Sequence, residues 1–163
     1  MDNSHTQIKA IQLAMQAEMD AHNYYTQSAQ NTVNPKGKDM FSQLAAFELS
    51  HYNHLKSLLD SLQEGNGWIP YAGTQFSDRS NPIEGGHSPA EHERKDDVLS
   101  ILSKAINDEK KASDLYNKLA DETDVPSGKA MFKQLAEEES LHAKILNDQW
   151  YGLTNKGIWL WGD

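Results

Sequence analysis

The chain has 163 residues and a formal net charge of −9 at pH 7. This length favours one domain, 1–163, with a core of its own. The negative charge, with no dense cluster of Lys or Arg, argues against nucleic acid and anionic membranes as partners. The sequence contains no cysteine, which excludes disulfides, thiol nucleophiles and cysteine-ligated metal centres within it. It shows neither a secretory leader nor a bilayer-length apolar run, so we expect a cytoplasmic protein.

Apolar residues recur every three or four positions in four stretches, and this period predicts four amphipathic helices. The first two stretches make a predicted helical hairpin over about 5–64. A short turn between them contains Asn34-Pro35 and Gly37, which are typical of a helix start. Hairpin 1 is therefore expected to hold two helices that run in opposite directions.

Residues 65–88 differ from the helical stretches because they are rich in Gly and Pro and carry scattered aromatics. A segment of this length suffices for a crossover that runs the length of a bundle. The run Ser88-Pro89-Ala90-Glu91 is a strong helix start and opens hairpin 2, over about 89–150. An aromatic tail, 151–163, follows. We expect its tryptophans, together with Trp150, to pack on the bundle or on a partner subunit.

The chain contains an internal repeat, because a shift of 91 residues aligns its two halves. The aligned ranges are 14–55 and 105–146. Identical pairs include Ala14/Ala105, Ala21/Ala112, Tyr25/Tyr116, Pro35/Pro126, Gly37/Gly128, Phe41/Phe132, Leu44/Leu135 and Leu55/Leu146. The repeat predicts two duplicated helical hairpins and an all-α, up-down-down-up four-helix bundle with pseudo-two-fold symmetry.

Each half also carries one Glu and, thirty residues later, a Glu-x-x-His run inside the apolar stripe. Residues three apart are neighbours on one helix face, and bundle helices lie about 8–10 Å apart. Four carboxylates and two imidazoles at such positions form the ligand set of a dinuclear carboxylate metal centre. The six predicted ligands are Glu18, Glu48, His51, Glu109, Glu139 and His142. A third such run, Glu84-Gly85-Gly86-His87, lies in Gly-rich sequence where helical spacing has no meaning.

Symmetry suggests how two metal ions would share these ligands. Glu18 and His51 would bind one ion, and Glu109 and His142 the other. The bridging carboxylates would then be Glu48 and Glu139. Two divalent ions would neutralise the four carboxylates, which would otherwise be costly in an apolar core. Such a ligand set suits iron or manganese, and iron here could reduce O₂ or peroxide by two electrons.

Several other side chains lie near these positions in the predicted bundle. Tyr25 and Tyr116 follow Glu18 and Glu109 by two turns. We interpret both tyrosines as packing residues, with hydrogen bonding to a ligand carboxylate or a redox role as the alternatives. His54 is a further candidate for contact with the ligands, although a position at the rim is the simpler interpretation. Glu137 and Glu138 fall off the apolar stripe and are expected on a solvated face.

At these motifs the chain resembles the ferritin-like diiron superfamily and, within it, the rubrerythrin group. The resemblance covers about residues 8–150. Besides the six predicted ligands, it includes the Phe-x-x-Leu-Ala runs that begin at Phe41 and Phe132. It implies a dimeric, cytoplasmic, non-haem protein with two iron ions per chain. Such a protein would reduce hydrogen peroxide or O₂, oxidise ferrous iron, or both.

Two features depart from rubrerythrins proper. Those proteins carry a Cys₄ iron site that feeds electrons to the diiron centre, whereas this sequence has no cysteine. Electrons would therefore come from a separate donor, such as a rubredoxin-like protein. Rubrerythrins also place an additional Glu one turn after the third-helix ligand, and residue 112 here is Ala. The resulting symmetric set is closer to that of bacterioferritin. Ferroxidase or iron storage, a dimanganese catalase-type centre and a metal-free interaction module remain the alternatives.

Overall fold

The computed structural model describes residues 3–76 and 95–162, and within these ranges it contains four helices and no strand. The helices are α1 (Asn3–Asn31), α2 (Pro35–Gln63), α3 (Lys95–Glu122) and α4 (Pro126–Asn155). Helix α1 packs along α2, and α3 packs along α4. The prediction of an all-α bundle made of two helical hairpins is confirmed. Over the same ranges, no helix is long and apolar enough to cross a membrane.

The two short turns begin their second helices in similar ways. Asn34 has an extended backbone, and its side chain accepts a hydrogen bond from the backbone N–H of Lys36 at 2.9 Å. Pro35 then occupies the first helical turn, where its missing N–H costs nothing. In the second half, Val125 is extended and Pro126 begins α4, without a side-chain cap.

The helix start at Ser88-Pro89-Ala90-Glu91 and the third Glu-x-x-His run at Glu84 lie outside the described residues. Helix α4 continues to Asn155, so the first residues of the expected tail are helical. The division of the chain into a single domain stays a prediction.

Apolar side chains form two separate clusters, one on each side of a polar layer at the middle of the helices. Helix α1 contributes Ile11 to the first cluster and Tyr25 to the second, with Glu18 between them. Helices α2 and α3 pass through the clusters in the opposite order, and α4 passes in the same order as α1. The direction of the helices is therefore up, down, down, up, as the repeat predicts.

The segments that follow each hairpin pack on the other hairpin. An added Cβ atom at Gly37 would lie 2.7 Å from Trp159 of the tail. One at Gly128 would lie 2.8 Å from Trp68 of the crossover. Each glycine thus makes room for an indole ring, and the two tryptophans are themselves related by the 91-residue shift. The tail therefore packs back on the bundle. Trp150 is 38% exposed in the single chain, so its packing on a partner subunit stays a prediction.

Candidate metal centre

The polar layer between the two apolar clusters holds the six predicted ligands. Each lies near the middle of its helix, and none is more than 3% exposed. They are Glu18 on α1, Glu48 and His51 on α2, Glu109 on α3, and Glu139 and His142 on α4. The structure therefore brings all six together from four helices, because the same stripe that buries the apolar residues also buries these side chains.

The six side chains form two overlapping groups whose ligand atoms all lie within 4.8 Å of one another. The first group contains Glu18 and His51, and the second contains Glu109 and His142. Glu48 and Glu139 belong to both groups. This is the distribution expected of two bridging and two terminal carboxylates, and the assignment of the ligands stays a prediction.

Both imidazoles face this cluster through the same ring atom. Nδ1 of His51 lies 3.2 Å from Oε1 of Glu18 and 2.9 Å from Oε1 of Glu139. Nδ1 of His142 lies 2.8 Å from Oε1 of Glu48 and 3.4 Å from Oε2 of Glu139. The two rings are stacked with their centroids 6.3 Å apart. In each histidine, Nδ1 is therefore the atom placed to bind a metal.

Three carboxylate oxygens of the cluster indicate that metal ions fit among these side chains. Oε2 atoms of Glu48, Glu109 and Glu139 are buried and have no hydrogen-bond partner in the described structure. Leaving an acceptor buried without a partner costs free energy, and a cation bound among these oxygens would remove that cost. The donor set, of carboxylate oxygens with two imidazoles, thus fits two divalent ions such as iron or manganese.

Without metal, the four acids divide into two kinds. Burial and then the charge of Glu109 raise the pKa of Glu48 to about 8. Burial and the charges of Glu109 and Glu18 raise the pKa of Glu139 well above its usual range. For Glu18 and Glu109, burial acts in the same direction. Hydrogen bonds from the neighbouring acids and contacts with the histidines outweigh it, and each pKa falls to about 2.

The two histidines supply positive charge that balances the ionised carboxylates. Burial by itself lowers their pKa, but the surrounding carboxylates outweigh it and raise the pKa of His51 and His142 well above the usual value. These shifts favour a metal-free cluster of two imidazolium ions, two carboxylates and two carboxylic acids, which is neutral. The cluster with two divalent ions, four carboxylates and two neutral imidazoles is neutral as well.

The binding of two divalent ions at pH 6 should therefore release about four protons per chain. Glu48, whose pKa is raised to about 8, and the two histidines, whose pKa values are raised well above 6.5, would each lose one proton. The pKa of Glu139 is also raised well above its usual value, so this residue would supply the fourth. Since protons compete with the metal, affinity should rise steeply as the pH is raised from 6 to 8. Calorimetric titration with Zn²⁺ in buffers of different ionisation enthalpy measures the number of protons released per chain. A release of one proton or fewer would contradict this account.

Two tyrosines connect the halves of the site. The hydroxyl of Tyr25 donates to Oε1 of Glu109 at 2.5 Å, and that of Tyr116 donates to Oε1 of Glu18. Burial and then the charge of the bonded carboxylate raise the pKa of each phenol, which keeps both as neutral donors. Both rings also lie in the core. They therefore combine the packing role that we favoured with the hydrogen bonding that was the alternative.

His54 lies outside the cluster. Its Nε2 atom is 3.4 Å from Sδ of Met131, and its ring centroid is 4.4 Å from that of Tyr71. The side chain is half-buried, and burial lowers its pKa. These contacts agree with a position at the rim of the site.

Glu138 is the residue that sequence reasoning placed wrongly. Glu137 is exposed, as expected, but Glu138 is only 6% exposed. Its carboxylate lies 2.9 Å from Nε2 of His51 and accepts hydrogen bonds from the Tyr71 hydroxyl and the Thr74 backbone N–H. It is buried because the crossover folds over this part of α4. Helical period alone carries no signal of that covering segment.

A cavity of about 370 Å³ opens between α1 and α3 and reaches the carboxylates. Small side chains, Ala21 and Ala112, leave space at the middle of these two helices. The inner end is formed by Glu18, Glu48, Glu109 and Glu139, with Tyr25 and Tyr116 beside them. The structure thus provides a path by which a small molecule can reach the buried cluster.

The rubrerythrin family profile matches residues 4–74 and 100–156, which is most of the chain. Both ranges contain predicted ligands, so the match covers the whole cluster. The chain belongs to the rubrerythrin family. Membership of this family suggests an oxidoreductase, and the buried carboxylate–histidine cluster is compatible with a diiron site. Comparison with curated proteins and with solved structures gives no significant match.

Proposed function

We propose that this rubrerythrin-family protein is a non-haem diiron oxidoreductase that reduces hydrogen peroxide. The observation that carries the proposal is the pair of overlapping ligand groups that share Glu48 and Glu139. Sharing two carboxylates would hold two ions side by side, as a two-electron reaction at one site requires. Two ferrous ions held there would supply the electrons that convert one H₂O₂ and two protons to two water molecules.

The chain's own residues favour a small, neutral substrate. The cavity between α1 and α3 has room for peroxide or O₂ together with a few water molecules. Its inner end is lined by carboxylates, which disfavour anions, and by apolar side chains. Hydrogen bonds from Tyr25 and Tyr116 hold Glu109 and Glu18 in place at this end.

The electron donor and the assembly belong to the same proposal. Because the sequence contains no cysteine, it has no Cys₄ iron site to pass electrons to the centre. A separate rubredoxin-like protein, or ferrous iron itself, is therefore the proposed donor. A homodimer in the cytoplasm completes the proposal.

Rapid mixing tests the reaction. We expect the diferrous protein to be oxidised faster by H₂O₂ than by O₂. Ala112→Leu, which fills the middle of the cavity, should slow this oxidation roughly tenfold or more at unchanged iron content, because the oxidant no longer reaches the carboxylates in a reactive position. Stopped-flow absorption measures the rate of oxidation, and iron analysis measures the iron content. The matched control is Ala130→Leu, which lies on an exposed part of α4.

Each outcome discriminates between specific alternatives. A faster reaction with O₂ than with H₂O₂ would favour ferroxidase activity over peroxide reduction. Equally slow reactions with both would refute the proposed oxidoreductase. A rate in Ala112→Leu equal to that of Ala130→Leu would show that the oxidant arrives by another path.

A further inference from the structure

The six proposed ligands obey the internal repeat, but the residue before each bridging Glu does not. Glu48 follows Phe47, whereas Glu139 follows Glu138, and these two positions are 91 residues apart. Both side chains are buried, at 4% and 6% exposure. At this position the two halves therefore differ, with an aromatic side chain in the first and a carboxylate in the second.

His51 receives the carboxylate. Its Nε2 atom lies 2.9 Å from Oε2 of Glu138, on the side of the ring away from the cluster. The same carboxylate oxygen accepts a hydrogen bond from the hydroxyl of Tyr71. The other oxygen accepts from the backbone N–H of Thr74 at 2.6 Å. Glu138 is thus held from two directions by the crossover while it contacts the imidazole.

His142 has apolar neighbours instead. Its Nε2 atom is buried and has no hydrogen-bond partner in the described structure. The ring meets Phe47 edge-on with centroids 4.3 Å apart, and the ring of Phe76 lies 5.7 Å away. On its Nε2 side this imidazole is held by packing alone, and none of the described residues accepts a proton from Nε2.

This difference between His51 and His142 affects how strongly each would bind a metal ion through Nδ1. A histidine that binds metal through Nδ1 must carry its proton on Nε2, and a carboxylate that accepts this proton fixes both the tautomer and the ring. Such partners also make the imidazole a stronger donor, and their loss typically costs 10- to 100-fold in metal affinity. His51 has this support, and His142 has none in the described residues.

We propose that Glu138, held by Tyr71 and Thr74, makes the His51 metal position the stronger of the two. The first ion therefore enters the His51 position, and this ion is the last to leave. The inference rests on the proposed dinuclear centre and goes beyond it, because the ligand set by itself predicts two equivalent positions. It also makes the crossover part of the metal site.

Titration of the metal-free full chain with Co²⁺, followed by its visible absorption, tests the proposal. The wild-type protein should bind two ions in two separable steps. His142→Ala should keep the tighter step, and His51→Ala should keep only the weaker one. Glu138→Gln should weaken the tighter step by about 10- to 100-fold and leave the weaker step unchanged. Glu137→Gln is the matched control, since it removes the same charge from the adjacent exposed position.

Circular dichroism of each variant shows whether it is folded. If Glu138→Gln does not fold, Tyr71→Phe carries the test, because it removes only one donor to Glu138 and should weaken the same step by a smaller factor. Equal affinities in His51→Ala and His142→Ala would overturn the proposal, as would equal losses at both steps in Glu138→Gln. Either result would leave the dinuclear centre standing. No binding of Co²⁺ by the wild-type chain would instead refute the centre itself.

Discussion

Replacement of Glu139 by Ala should abolish the binding of both metal ions. Glu139 belongs to both ligand groups, so its loss removes one oxygen donor from each position. It would also leave Nδ1 of His51 without its nearest carboxylate, at 2.9 Å. Iron content should fall from about two ions per chain to nearly none, since a site that loses a bridging ligand also loses the charge balance that holds the second ion. Elemental analysis of purified, iron-loaded protein measures this.

Two variants make the prediction specific. Glu137→Ala removes a carboxylate from the adjacent exposed position and should keep about two ions. Glu18→Ala removes a member of one group only and should keep about one ion. If Glu139→Ala retains the wild-type iron content, the assignment of Glu139 as a bridging ligand is wrong. If Glu18→Ala also loses both ions, the two positions depend on each other more strongly than shared carboxylates explain.

Replacement of Trp159 by Ala should lower the free energy of unfolding by about 3–5 kcal/mol, the usual cost of truncating a buried aromatic. Trp159 is 0% exposed and packs edge-on against Phe41, with ring centroids 6.4 Å apart. The indole also fills the space above Gly37. Its removal would leave a cavity between the tail and the second apolar cluster. Urea denaturation of the metal-free protein at one fixed pH gives the change.

The repeat supplies a matched comparison for this variant. Trp68 occupies the equivalent place above Gly128, but it is only partly buried. Trp68→Ala should therefore destabilise the protein less than Trp159→Ala, because less apolar surface returns to water. Equal losses of stability in the two variants would contradict the difference in burial. A negligible loss in Trp159→Ala would show that the tail does not hold the bundle together.

Much of the bundle and of its site follows from the sequence. The burial of the six candidate ligands could be predicted because each Glu and each Glu-x-x-His run lies within an apolar stripe, and helical geometry alone turns such a stripe inward. The 91-residue repeat then required that both halves contribute the same side chains. The up-down-down-up order of the helices followed from the long connection between two short-turn hairpins.

Contacts between segments distant in sequence could not be predicted from helical period or from the repeat. Glu138 lies off the apolar stripe of α4, and its carboxylate is held there by hydrogen bonds from Tyr71 and Thr74 of the crossover. The hydrogen bonds of Tyr25 and Tyr116 cross from one hairpin to the other. No local period encodes which carboxylate a phenol will reach across a helix interface.

The sequence by itself determined the helices, the duplication and the six candidate ligands, because all three depend on spacing along a single helix or on identity between the halves. Tertiary structure decided which side chains surround each histidine, and there the symmetry ends. His51 faces the carboxylate of Glu138, and His142 faces the ring of Phe47. The physical reason is that these surroundings are created by the path of the crossover and by packing between hairpins, which a repeated pattern of residues does not specify.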